Sequence, residues 1–212
     1  MQQESWPLFF SRLDAADADL AVAADLMPDD PGPWVLMITT ARGRQLGIPE
    51  VRRRFAEVER RYPHHPQACQ QILQAVAAKW GGSHELMFEF ARGVSARAPM
   101  GSAVHAVIPE AHYEFWAAEK DDQKGYWQRP DVRSEILEAS RRCFTNASPA
   151  PRTVLAGNMF AFTYLLMGEA TLLSEQFDQT GGIVTEPWSL LPNPTSLIAK
   201  TRASATARQA YP

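Results

Sequence analysis

Imidazole and carboxylate side chains gather in one short stretch of the chain, at His105, Glu110, His112 and Glu114. His105 and His112 stand seven residues apart, a spacing that puts both on one face of a helix. Neutral imidazoles beside carboxylates are the donor set for zinc or iron and for general acid–base work. A small-molecule- or metal-dependent enzyme built on these four residues is one reading. Pro109 lies between the histidines and would turn one away from the other by kinking the helix, and helix-packing or solvated histidines are the competing reading. His-Glu-x-x-His, Cys-x-x-Cys, Gly-x-x-x-x-Gly-Lys and Gly-x-Ser-x-Gly are all absent. Asp14, Asp17 and Asp19 lack the glycine and distal glutamate that a calcium loop needs. No catalytic residue, metal or cofactor is assigned, and the balance falls on a non-catalytic protein.

Two other segments are dense in chemically versatile side chains. Lys79-Trp80-Gly81-Gly82-Ser83-His84-Glu85 is either a site or a turn in which Gly-Gly reverses the chain, Ser83 caps the next helix and Trp80 fills space. Tyr126 and Trp127 follow Gly125 in a polar insertion with no periodic core face. They either fold back on the array or meet a partner, exposed Tyr and Trp being common interface anchors.

These residues depend on elements that proline punctuates. Met27-Pro28, Tyr62-Pro63 and Ala98-Pro99 each follow an amphipathic stretch, 35 and 36 residues apart (63 − 28, 99 − 63). Phe55 and Phe90 each lie 27 residues after a marker proline, and Phe177 lies 28 after Pro149. A period near 35 with helix-turn-helix content predicts an all-α, right-handed α-solenoid of about four helix pairs plus an N-terminal helix. Residues 14–27 read as that first helix. A second opens at Pro31-Gly32-Pro33, and a third carries the buried stripe Val51, Phe55, Val58, Tyr62, with Glu50–Arg54 and Glu57–Arg61 pairs on the opposite face. Pro66 and Ser83 open the next pair. The helix after Pro99 is expected to break at Pro109, residues 119–131 to form a loop, and a last pair to span 154–177. One domain is expected over 1–200, with 201–212 as a frayed or disordered tail.

Composition bounds the function. With 212 residues, 45% apolar and 21% charged, the chain is of ordinary globular type, and Cys69 and Cys143 read as buried, reduced side chains. A net charge of −3 gives no electrostatic footprint for nucleic acid. No apolar run approaches membrane-spanning length, and Met1–Ser5 lacks the basic start of a secretory signal, so no membrane contact and a cytoplasmic location are expected. Residues 1–30 carry seven acids against Arg12, while residues 31–61 carry seven arginines against three glutamates. Neighbouring helices of opposite sign satisfy one another, or an acidic face is kept for a partner.

Trp34, Phe55 and Pro63 match the tetratricopeptide consensus, and over residues 14–182 the chain resembles a divergent tetratricopeptide array; Ile38 departs from it, standing where a small residue is wanted. Ala78 to Glu85 with Phe88, Ala91 and Arg92 also resembles bacterial helical-repeat proteins that carry a domain of unknown function. The first resemblance implies a scaffold or adaptor holding a protein or peptide along a concave face lined by the first helix of each pair. The lysine–asparagine clamp for C-terminal carboxylates is missing, since Lys79 is the only lysine before Glu119. Taking Trp34, Cys69, His105 and Leu155 as equivalent positions, the groove would be lined by Val35, Thr39 and Arg42, then Gln70, Gln74 and Ala77. It would continue through Ala106, Glu110 and Tyr113, then Ala156, Phe160 and Thr163. Thr39, Arg42, Gln70, Gln74, Glu110, Tyr113 and Phe160, with Tyr126 and Trp127, are the expected binding residues for a protein or peptide partner. Cap-like segments at both ends predict a monomer or weak homodimer.

Overall fold

The computed structural model describes residues 6–119, 125–147, 151–190 and 193–210, with side chains up to 203. The described chain is all-helical, with ten α-helices and no strand. It divides into two compact units, Met1–Val94 and Ser95–Pro212, where the periodicity alone expects one repeat domain.

The first unit begins with α1 (Trp6–Leu26), longer than the 14–27 pattern because its first turns carry the mutually packed rings of Trp6, Phe9 and Phe10. Helix α2 (Gly32–Gly43) starts with proline in its first turn, and α3 (Ile48–Arg61) does the same, each proline falling where no N–H is required. Helix α2 packs against α1, α3 and α4 (Pro66–Val76). Its Trp34 ring lies beneath the guanidinium groups of Arg53 and Arg61, at 5.7 and 5.2 Å. Phe55 of α3 meets Phe90 of α5 (His84–Arg97) edge to face at 5.7 Å. These phenylalanines are 35 residues apart in the sequence.

The opposite charges of the first helices find each other. The Asp17 carboxylate of α1 accepts from Thr40 Oγ1, from Arg44 Nη1 at 2.5 Å and from Arg54 Nη1 at 2.5 Å. Arg54 also donates to the Met37 carbonyl at 2.6 Å and, through Nε, to Glu50 at 2.7 Å. Asp14 pairs with Arg44 at 2.6 Å. The Glu50–Arg54 pair was expected on a solvated face, yet Arg54 is buried, because α1 covers that side of α3 with Asp17.

Between α4 and α5 a short 3₁₀ turn, Ala78–Trp80, leads into Gly81 in the left-handed region (φ 89°). Ser83 Oγ then accepts from the Leu86 N–H at 3.1 Å and caps α5. A Cβ on Gly82 would stand 1.8 Å from the Val76 carbonyl oxygen, the acceptor for Ser83 N–H that closes the turn. Gly82→Ala is expected to destabilise the chain by about 2–4 kcal/mol through backbone displacement. Gly81→Ala, which meets nothing within 4 Å, should cost only about 1–2 kcal/mol of left-handed strain. Urea unfolding of both variants checks the order; the reverse order would contradict this turn geometry.

The second unit contains α6 (Val107–Ala118), α7 (Pro130–Phe144), α8 (Pro151–Met167), α9 (Ala170–Gln179) and α10 (Pro194–Ala210). Pro109 does not break α6. The helix starts only at Val107, after a 3₁₀ turn at Ala103–Ala106, so Pro109 sits in the first turn where its missing N–H costs no bond. Helix α8 is central, packing on α6, α7 and α9. Trp188, 1% exposed, lies against Phe162 of α8 and Phe177 of α9 at 5.5 and 5.2 Å. Helix α10 packs on α9, and its backbone stays helical to Ala210. The stretch from 201, expected to fray, has alanine-rich composition without Gly or Pro before 212, which favours helix. Among the described residues no helix is long and apolar enough to cross a membrane.

Candidate functional site

The four expected binding residues of the first unit belong to two adjacent helices, α2 and α4. Helix α4 is set by Pro66 in its first turn and by His65, whose Nδ1 accepts from the Ala68 N–H at 3.3 Å. Across the seam Thr39 Oγ1 donates to Gln71 Oε1 at 3.0 Å. Thr39, Arg42 and Gln74 are half-buried and Gln70 is exposed. The Arg42 guanidinium lies 5.3 Å from the centre of the Trp80 ring, and Trp80 is 45% exposed. Such a contact at an accessible site contributes about 0.5–1 kcal/mol and holds the cation over the ring face. Val35 and Ala77, the other two lining positions expected here, are buried in the core. The α2–α4 face thus presents amides able both to donate and to accept, a hydroxyl, one cation and one aromatic ring.

The expected site residues of the second unit are placed differently. Phe160 has no exposed surface and packs edge to face on Phe144 at 5.5 Å, so it is a core residue and lines no groove. Ala156 and Thr163 are buried with it, because α8 is covered by helices on several sides. Tyr126 and Trp127, each 4% exposed, fold back on the unit instead of standing out as anchors. Their 3₁₀ turn (Tyr126–Gln128) packs on α7 and α8, and their rings pack on Phe115 and Trp116 of α6. Glu110 is buried at 9% exposure. Tyr113 is half-buried against Phe162 at 5.4 Å, and burial, helped by the charge of Glu114, pushes its phenol above its ordinary value.

The two histidines of the catalytic reading go to separate partners. His105 is fully buried, with Nδ1 2.9 Å from Ser95 Oγ and Nε2 3.0 Å from the Pro99 carbonyl. The Nε2 proton is thereby donated to the carbonyl and Nδ1 accepts from the serine. This orientation resembles a nucleophile–base pair, but both groups are sealed in the core, where no substrate reaches them. His112 joins Tyr126 Oη at 2.7 Å to Oε2 of the half-buried Glu135 at 3.2 Å, a chain that pins the 3₁₀ turn onto α6 and α7. Among the described residues no three His, Cys, Asp or Glu side chains gather as a metal-holding group.

Several partners were not foreseen from sequence. Gln71 completes the α2–α4 face, and the Gln70-Gln71 run three to four residues before Gln74 carried that signal as a polar strip on one helix. Trp80, which the sequence offers either as part of a site or as filler of the turn, stands beside the same face over Arg42. Ser95 and Glu135 carried none, since each is joined to its histidine only by the tertiary fold. Comparison of the chain with protein-family models, with curated proteins and with solved structures finds no match.

Proposed function

We propose that the chain is a non-catalytic scaffold or adaptor of divergent tetratricopeptide type, a right-handed α-solenoid that binds a protein or peptide along the face formed by α2 and α4. The observation carrying this reading is the direct contact between equivalent elements one period apart. Thr39 and Gln71 join the first helices of two successive pairs, and Phe55 and Phe90 join their second helices. That stacking leaves a first-helix surface whose amides and hydroxyl complement a peptide backbone, with Arg42 and Trp80 as a charged and an aromatic contact. A cytoplasmic location and a monomeric or weakly dimeric state belong to the same proposal.

Selection of random peptides on the full chain tests it. Enriched peptides are expected to bind Gln70→Ala/Gln74→Ala and Arg42→Ala variants at least about tenfold more weakly than the parent. Absence of enrichment, or peptides indifferent to all three substitutions, overturns the reading. Stoichiometric zinc or iron retained through gel filtration overturns its non-catalytic part.

A further inference from the structure

We propose that the cleft between α7, α8 and α9 in the second unit is a binding site for a free α-amino acid with an uncharged polar side chain, L-glutamine being the type. The cleft is open to solvent on one side and offers about 290 Å3. That volume lies at the lower end of ligand pockets and suits a molecule of amino-acid size rather than a larger cofactor.

The buried polar residues of the lining, Ser140, Tyr164 and Gln176, carry no charge. Tyr164 Oη donates to Ser140 Oγ at 2.5 Å, both residues being buried, so the serine's own proton is left without an acceptor among the described residues. Gln176, 4% exposed, reaches Gln179 Oε1 through Nε2 at 3.4 Å, a long bond. Its own Oε1 and the Gln179 amide nitrogen stay unengaged among the described residues. A hydroxyl donor and an amide acceptor therefore lie on the buried side of the cleft lining and the exposed Gln179 amide at its edge, together the complement of a carboxamide. An ionised side chain placed there would lose hydration without a counter-charge.

The rim carries one charge of each sign, on opposing helices. Arg141 of α7, its side chain 60% exposed, gives Nε and Nη2 to Glu138 and keeps Nη1 unengaged among the described residues. Glu175 of α9 is exposed and forms no ion pair among the described residues. The pair matches the carboxylate and ammonium of an α-amino acid. Phe144 and Leu172, the apolar lining residues, supply contact for side-chain methylenes.

Isothermal titration of the full chain with L-glutamine is expected to show one site per chain with a Kd below about 1 mM. L-glutamate, L-leucine and L-glutaminol, which respectively charge the side chain, remove its amide and remove the carboxylate, should each bind at least about tenfold more weakly. Glu175→Gln and Arg141→Gln, at exposed positions where exposed ion pairs contribute little to folding, should weaken L-glutamine by a similar factor. Ser140→Ala tests the inner surface, with circular dichroism to show that the fold persists. The proposal is overturned by absence of both heat and side-chain amide shifts of Gln176 and Gln179 at about 10 mM ligand. Equal binding of L-leucine or L-glutamate, or binding indifferent to both rim substitutions, overturns it as well. The cleft is built from residues of the second unit and the α2–α4 face from residues of the first, so either result leaves the peptide-binding reading standing or falling on its own test.

Discussion

Asp17→Ala should lower the unfolding free energy by about 3–5 kcal/mol, the cost of removing one partner from a buried ion pair. The Arg54 side chain is 5% exposed and that of Asp17 12%. Alanine at 17 leaves the guanidinium with the Met37 carbonyl and Glu50 but without its principal counter-charge, and it releases Thr40 and Arg44 as well. Burial alone would raise the Asp17 carboxyl. Hydrogen bonds from Arg54 and Thr40 and the charges of Arg54 and Arg44 outweigh that and hold it below its ordinary value of 3.8. A depressed carboxyl contributes stability that is present above the unfolded value and lost as pH falls below it. The variant should therefore show a shallower loss of stability on acidification below about pH 4 than the parent. The double variant Asp17→Leu/Arg54→Met, which removes both charges, should recover most of the loss. Denaturant unfolding of the three proteins decides the matter: a loss under about 1 kcal/mol for Asp17→Ala would mean that α1 is not docked through this network.

A loss of similar size is expected in the second unit from Trp188→Ala, about 3–5 kcal/mol, from lost transfer free energy and the cavity left between α8 and α9. Among the described residues Trp188 is the largest fully buried side chain, and it brings a short 3₁₀ turn, Trp188–Leu190, against Phe162 and Phe177. Its indole Nε1 has no hydrogen-bond partner among the described residues. Trp188→Phe consequently gives up ring volume but no hydrogen bond, and relief of a buried unpaired donor offsets part of the cavity cost. Phenylalanine should cost less than half as much as alanine. If the two substitutions proved equally damaging, the indole N–H would have to be engaged in a bond, contrary to this packing.

The difference between the two units shows how far the linear pattern reaches. Around Phe55 and Phe90 the sequence carries its own ruler: prolines in first turns, glycines at reversals and apolar residues at helical spacing fix the helices, and the two phenylalanines, 35 residues apart, meet edge to face. The all-helical class, the turn at Gly81-Gly82, the Ser83 cap and the attraction between acidic α1 and the arginines that follow were all legible from these local signals. Thr39, Arg42, Gln70 and Gln74 fall on neighbouring helices for the same reason. In the second unit the spacing lengthens, Pro149 standing 50 residues beyond Pro99, and the groove register counted from those prolines assigned Phe160 and Thr163 to a surface that α8 does not expose.

What the sequence by itself determined is the apolar stripe of the clearly amphipathic helices, such as Val51 and Val58 of α3, although Tyr62 at the end of that stripe is exposed; apolar spacing is a property of one helix and its own 3.6-residue turn. Which face meets which, and so whether a polar side chain ends in solvent or in a sealed bond, depends on residues far away along the chain. Glu50 and Arg54 look like a solvated pair until α1 lays Asp17 over them. Tyr126 and Trp127 have no periodic face of their own and acquire one only when His112 and the rings of α6 receive them. The polar cleft takes Ser140, Tyr164 and Gln176 from three helices, none of which marks its contribution as more than an ordinary buried position. Burial of a polar group is tolerated only where a partner is supplied, and tertiary packing supplies that partner across separations the local pattern does not encode.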